Sequence, residues 1–170
     1  MLNHTNPLIV QSDRTILLDV HAVLAEECRN ALIPFAELER SPEHLHTYRL
    51  TPLSLWNAAS AGFSADDAIS TLTEYSRFPV PQAVEFWIRE TAGRFGKLRM
   101  TVPANVDAEI CEVLFLETDS LSIYKEINAA KQLHTLLTPD VNEKKLRFIL
   151  KLIDRGTVKQ KLLQLGWPVE

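Results

Sequence analysis

Between Ser41 and Gly62 the hydrophobic pattern changes period once. His44, His46, Tyr48 and Leu50 alternate with Leu45, Thr47 and Arg49, the two-residue repeat of a strand with two unlike faces. From Thr51 onward Leu53, Leu55, Trp56, Ala58 and Ala59 recur at helical spacing. Thr51 can cap that helix through its hydroxyl, and Pro52 at the first helical position gives up an N–H that the helix does not need. Gly62 supplies the stop. A strand that runs straight into a capped helix is therefore expected here.

The flanking sequence fills in around it. Residues 8–11 and 15–20 are rich in aliphatic and β-branched side chains, and Ser12-Asp13-Arg14 between them is turn chemistry, so a hairpin is expected. A helix over 22–32 would bury Leu24, Cys28 and Leu32, and Pro34 would end it. Residues 35–39 read as a short strand pairing with 46–50. Downstream, Ser64 caps a helix with Asp66 and Asp67 in its first turn, ending near Tyr75. Pro79 and Pro81 punctuate a loop before a third helix, 81–92, carrying Val84, Trp87 and Ile88 on one face. Residues 97–102 and 111–117 read as a hairpin.

The last third is less regular. Asp119 is a candidate cap for a helix bearing Leu121, Tyr124 and Ile127, and Thr138-Pro139-Asp140 reads as a turn. A strand is expected over 146–150, and a helix over 157–165 closed by Gly166 and Pro168. Together these elements predict an α+β protein: a winged-helix-like three-helix core with short β-hairpins, plus a small C-terminal α/β lobe. The expected divisions are 1–51, 52–118 and 119–170.

Composition and charge narrow the function. The 170 residues suffice for a packed core, and no apolar run approaches the roughly 20 residues of a membrane span. The N-terminus lacks the basic start and apolar stretch of a signal peptide, so a cytoplasmic protein without membrane contact is expected. Two cysteines, Cys28 and Cys111, are too few for a disulfide scaffold and read as reduced thiols. Net charge is −4, unevenly spread. Residues 141–170 hold Lys144, Lys145, Arg147, Lys151, Arg155, Lys159 and Lys161 against Glu143, Asp154 and Glu170, a balance of +4 that leaves −8 on the remainder. Those seven cations are the candidate contacts to DNA or to an acidic partner. The third helix offers Arg89 and Arg94 against Glu85 and Glu90, which is no reading surface for a major groove.

Several residues invite a chemical role. His44 and His46 lie two apart on one strand, a spacing metal sites use, but no third and fourth ligand lies nearby in sequence, and no metal is assigned. Ser54 with His46 could imitate a nucleophile and base, yet no strained G-x-S-x-G turn presents the serine. The helix dipole accounts for Asp66 and Asp67. Trp56, Trp87 and Phe86 read as core or interface anchors in preference to stacking platforms for bases. No catalytic residue and no cofactor is assigned.

The Ser41–Gly62 stretch also carries a resemblance. H-x-H-x-Y-[RK]-[LI]-T followed by S-L-x-x-A-x-x-x-G is matched by His44, His46, Tyr48, Arg49, Leu50, Thr51, Ser54, Leu55, Ala58 and Gly62, with Trp56 inside the helix. The chain is similar here to the N-terminal conserved domain of XPB-type DNA repair helicases. The likeness extends to P-L-I-V-Q-S-D-R-T-I-L-L-D-V, P-F-A-E-L-E-R-S-P-E-H, Y-S-R-F-P-V-P-Q and R-F-G-K-L-R, and more loosely to D-R-G-T-V-K-Q-K-L-L-Q-L-G-W-P. The signature residues have a structural part in that family. No G-x-x-x-x-G-K-[ST] phosphate loop and no D-E-x-H box occurs; Gly93-Arg-Phe-Gly96-Lys97 is two residues too short and runs into Leu98. The resemblance therefore implies a non-catalytic regulatory and docking domain of an ATP-dependent DNA helicase. Its expected partners are the parent's motor domains and a protein of related fold, as in the eukaryotic TFIIH complex, where such a contact stimulates the ATPase. A weak homodimer is the expected substitute, and weak DNA contact is expected through the basic tail. A DNA-contacting domain for distorted duplex is the alternative, and a small enzyme of another kind finds no support.

Overall fold

The computed structural model describes residues 2–104, 106–107, 109–140 and 145–170. The chain divides into two compact units, 1–93 and 94–170.

In the first unit, β1 (Leu8–Val10) and β2 (Thr15–Asp19) form the expected hairpin, with Arg14 taking the turn at a positive φ of 70°. Helix α1 (Ala25–Leu32) begins three residues later than expected, with Leu24 at its N-cap and no side-chain cap. Strands β3 (Glu37–Arg40) and β4 (Leu45–Arg49) follow, then α2 (Pro52–Ser60), α3 (Ala65–Tyr75) and α4 (Gln82–Ala92). The four strands make an antiparallel sheet in the order β1-β2-β4-β3. The signature strand β4 thus sits inside the sheet, with Tyr48 opposite Ile16 and His46 opposite Leu18. A bulge between Leu38 and Arg40 shifts the register on its other side.

Alternation decides which sheet face is covered. Leu8, Ile16, Leu18 and Tyr48 share one core with Cys28 and Leu32 of α1, Leu55 and Ala58 of α2, Leu72 of α3 and Val84 and Ile88 of α4. This continuous core runs across residue 51, so the expected boundary between 1–51 and the helices is not a division of the fold. The helix caps follow local chemistry. Thr51 and Ser54 form a reciprocal capping box, as do Ser64 and Asp67, and Gly62 closes α2 at a φ of 85°.

The second unit is built on another antiparallel sheet, order β5-β6-β8-β7. It comprises β5 (Leu98–Thr101), β6 (Val113–Thr118), α5 (Leu121–Ala129), β7 (Thr138–Pro139), β8 (Arg147–Lys151) and α6 (Arg155–Gln164). The ribbon expected to accompany the three helices pairs here with β8, through Phe115 opposite Ile149 and Leu116 opposite Phe148. Leu98, Leu116, Ile123, Ile127, Phe148, Leu150, Val158 and Leu162 bury together. That shared core joins the ribbon to the tail and replaces the expected division at 118/119. Ser120, in place of Asp119, caps α5 by accepting the Ile123 N–H. Thr138 and Pro139, expected in a turn, lie against Ile149 and Phe148 as a two-residue strand. Arg94 holds the C-terminal segment from within this unit. Its guanidinium lies 4.7 Å over the Trp167 ring and donates to the Gly166 carbonyl at 3.0 Å.

Candidate functional site

The signature residues divide between core and surface. Tyr48 and Leu50 are buried at 4% and 1% exposure, and burial pushes the Tyr48 phenol above its usual range. Arg49 points to the other sheet face, 3.6 Å from Glu39. Thr51 does two jobs: its oxygen accepts the Ser54 N–H at 3.0 Å, and its hydroxyl donates to Glu37 on β3 at 2.9 Å. The strand-to-helix corner is thereby tied to the neighbouring strand. Ser54 is buried, its oxygen accepting from the Thr51 N–H and its hydroxyl donating to the Thr51 carbonyl. A serine so committed to a cap is no nucleophile.

Leu55 and Ala58 enter the core, and Trp56 is 8% exposed. Its indole N–H donates to the Thr91 carbonyl at 2.8 Å, so Trp56 fastens α2 to the last turn of α4. The helix pair α2–α4 is the contact it serves. Trp87 is half-buried beneath the Arg14 guanidinium at 4.6 Å, while Phe86 is 68% exposed. Of the three aromatics, Phe86 alone offers most of its surface to a partner.

His44 and His46 do not act together. His46 is half-buried beside Leu18, whereas His44 is exposed and meets His21, with His21 Nε2 and His44 Nδ1 2.8 Å apart. His21 was not singled out from sequence, since it lies 23 residues from His44 and only the β2–β4 pairing brings them together. Among the described residues no three His, Cys, Asp or Glu side chains group to hold a metal. Cys28 and Cys111 are buried free thiols, and burial pushes the Cys28 thiol up to about 12.

The basic tail is not one surface. Lys144 lies outside the described residues. Arg147 is 15% exposed, paired to Asp140 and, at 3.8 Å, to Glu117, with its guanidinium 4.0 Å over the Phe115 ring. It is a structural cation of the sheet and is withdrawn from any phosphate. Lys159 and Lys161 are half-buried, and burial followed by the nearby Arg155 charge lowers the Lys159 amine. Lys145, Lys151 and Arg155 are exposed. Lys151 edges a groove of about 420 Å³ with Glu112, Val113, Leu152 and Ile153. Ile153 is 88% exposed there. Lys145 edges a more polar hollow of about 330 Å³ with Glu117, Thr118, Asp119 and Leu146. No helix among the described residues is long and apolar enough to cross a membrane.

Charge separates the two units. Residues 1–93 contain six arginines, no lysine and twelve carboxylates, a balance of −6, while 94–170 carry +2. The signature lies wholly in the acidic unit, which repels phosphate and leaves Val23, Ile33 and Phe86 exposed at 96%, 67% and 68%.

Comparison with known proteins agrees with the signature. The family described as "Helicase conserved C-terminal domain" matches residues 8–142. The chain is 42% identical over 171 residues to a DNA 3'-5' helicase XPB of Kineococcus radiotolerans, covering 96% of the chain and 28% of that protein. Identity to the DNA 3'-5' helicase XPB of Mycobacterium tuberculosis is also 42%, over 165 residues, with the same two shares. A general transcription and DNA repair factor IIH helicase/translocase subunit XPB of Dictyostelium discoideum is 32% identical over 122 residues, 69% of the chain and 15% of that protein. The chain thus spans a little over a quarter of the length of the bacterial relatives. The family's description, a C-terminal domain, departs from the N-terminal position that the resemblance implied. The signature strand and helix and most of both cores fall within the matched residues, and the chain belongs to the helicase conserved C-terminal domain family, in a form similar to part of the XPB helicases.

Proposed function

We propose that this chain is a non-catalytic accessory domain of an XPB-like DNA helicase, acting beside the motor domains through protein contact. The observation that carries the reading is the make-up of the signature unit. It is acidic and free of lysine, its Thr51 and Ser54 are spent on capping α2, and its exposed apolar side chains suit a protein partner. A partner of related fold, or a second copy where none is available, fits a surface of this kind. The parent's ATP hydrolysis belongs to segments beyond this chain, so the isolated chain binds no nucleotide.

The test compares the ATPase of the parent helicase with and without this domain, alongside calorimetry of ATP with the isolated chain. The expected result is an altered DNA-stimulated rate on deletion and no ATP binding. An unchanged rate, or saturable ATP binding lost on changing Lys97, overturns the reading.

DNA contact is the second reading, favoured by Lys151 and Arg155 exposed at the junction of β8 and α6 with Lys159 one turn on. It predicts weak, salt-sensitive binding whose salt slope flattens when Lys151, Arg155 and Lys159 become Ala. Tight binding at physiological salt would make DNA the primary partner.

A further inference from the structure

We propose that His21 and His44 form an acid-released clasp that locks the β3–β4 turn to the end of β2. Their facing nitrogens, His21 Nε2 and His44 Nδ1, stand 2.8 Å apart, with the ring centroids at 5.1 Å. This is an end-to-end hydrogen bond, in which one facing nitrogen carries the proton and the other offers its lone pair. Its position gives it a consequence. Asp19 opposite Leu45 is the last pair of the β2–β4 register, and the Val20 N–H donates to the His44 carbonyl at 3.4 Å as a long final rung. The imidazole bond closes the pairing beside that rung. The turn it holds leads from β3, the strand at the sheet edge.

The number of protons decides whether the clasp holds. Glu43 lies 3.9 Å from His44 Nε2, the nitrogen away from His21, and a carboxylate there favours an N–H on Nε2. His44 Nδ1 is then the acceptor and His21 Nε2 the donor. One added proton is accommodated, because it occupies His21 Nδ1 and makes the bond charge-assisted. Asp19 stands beside that ring, its Oδ1 accepting the His21 backbone N–H at 3.0 Å while its Oδ2 accepts from Arg77 at 2.7 Å. A second proton has only His44 Nδ1 left to occupy. There it removes the acceptor and sets two cations face to face. Glu43 offsets part of that repulsion but cannot restore the acceptor. His46, two residues along β4, lies across from Leu18 and has no part in the bond. The second proton therefore binds as the clasp opens, so the contact is present at neutral pH and lost in acid. His44 is 71% exposed, which lets its ring swing into solvent. The device is independent of which partner the domain docks.

The test is nitrogen-15 NMR of the full chain from about pH 8 to about pH 5, a span across the ordinary imidazole range. At neutral pH His21 and His44 are each expected to carry the proton on Nε2. In acid the two rings should titrate as a coupled pair, each sensing both protonation steps. Protection of the Val20 amide should fall at least roughly tenfold with the second step. His21→Phe is expected to leave His44 a single step and Val20 a low protection factor that no longer depends on pH. His44→Asn places an uncharged amide oxygen near the Nδ1 position, so Val20 is expected to stay protected through the acid range. Rings that titrate independently in the parent overturn the clasp, a reading that needs no variant. So does an acid loss of Val20 protection that is the same in the parent, His21→Phe and His44→Asn.

Discussion

Trp56 and Arg147 show how a residue's role turns on what it touches. Trp56 combines a buried ring with an N–H bonded to the Thr91 carbonyl. Trp56→Ala is expected to destabilise the first unit by about 3–5 kcal/mol, the range for a buried aromatic. Trp56→Phe keeps most of the ring and loses the hydrogen bond, at about 1–2 kcal/mol. Urea melts that rank the two variants equally would show that the indole ring does not anchor α2 to α4. Arg147 looked like a candidate phosphate contact, yet it is held by Asp140, Glu117 and Phe115. Arg147→Ala removes one partner from each of Asp140 and Glu117 and is expected to cost about 2–3 kcal/mol, below the full penalty for a buried pair because part of the side chain reaches solvent. Lys151→Ala should stay within about 0.5 kcal/mol of wild type. Equal stability of the two variants in thermal melts would return Arg147 to the list of available cations.

At the scale of elements, helix caps govern the response to acid. Asp67 accepts the Ser64 N–H at 2.8 Å, and this backbone bond, followed by the bond to the Ser64 side chain, holds its carboxyl below the usual range. A carboxylate lowered in the folded state contributes stability that is fully present above its unfolded pKa. That stability is lost as pH falls through the lower folded value. The loss is therefore expected only below about pH 4. Asp67→Asn should flatten the acid limb of a stability–pH profile and leave the neutral region's slope unchanged; a change confined to neutral pH would contradict it. Asp13 works in the same sense, lowered chiefly by the Thr15 N–H in the β1–β2 turn. Strand position also matters for association. β2 and β8 are interior, and β1 and β3 are the ends of the first sheet. β3 is exposed along its whole length, with Leu38 at 54%, so it is the edge that offers unpaired backbone groups.

For the whole molecule, the contrast between a −6 unit and a +2 unit bears on what the chain meets in solution. A weak homodimer, populated only when concentrated, is expected from the exposed β3 edge and apolar side chains. Sedimentation over a wide concentration range checks it. Adding Leu38→Lys at the edge should shift the profile toward monomer. A strict monomer at the highest concentration would leave the parent's own domains as the partner. Cys28 bears on the same scale: with its thiol pushed up to about 12, it should resist thiol reagents until the first unit unfolds, giving a chemical readout of that unit's opening.

Local chemistry determined much by itself. The Thr51-Pro52 start, the Ser64–Asp67 box and the glycine stop at Gly62 rest on interactions spanning a few residues, so the period-two strand and the helices after it were legible before any fold was known. The signature carried the family likeness for the same reason, being a contiguous string. Tertiary structure decided what contiguous strings cannot contain. Whether the 98–118 ribbon closed a helical core or joined the tail depended on pairing with β8, some 30 residues away. Whether Arg147 faced solvent or two carboxylates depended on β6 and on the segment before β8. And His44 found its neighbour in His21, not His46, because antiparallel pairing joins residues by register and not by distance along the chain.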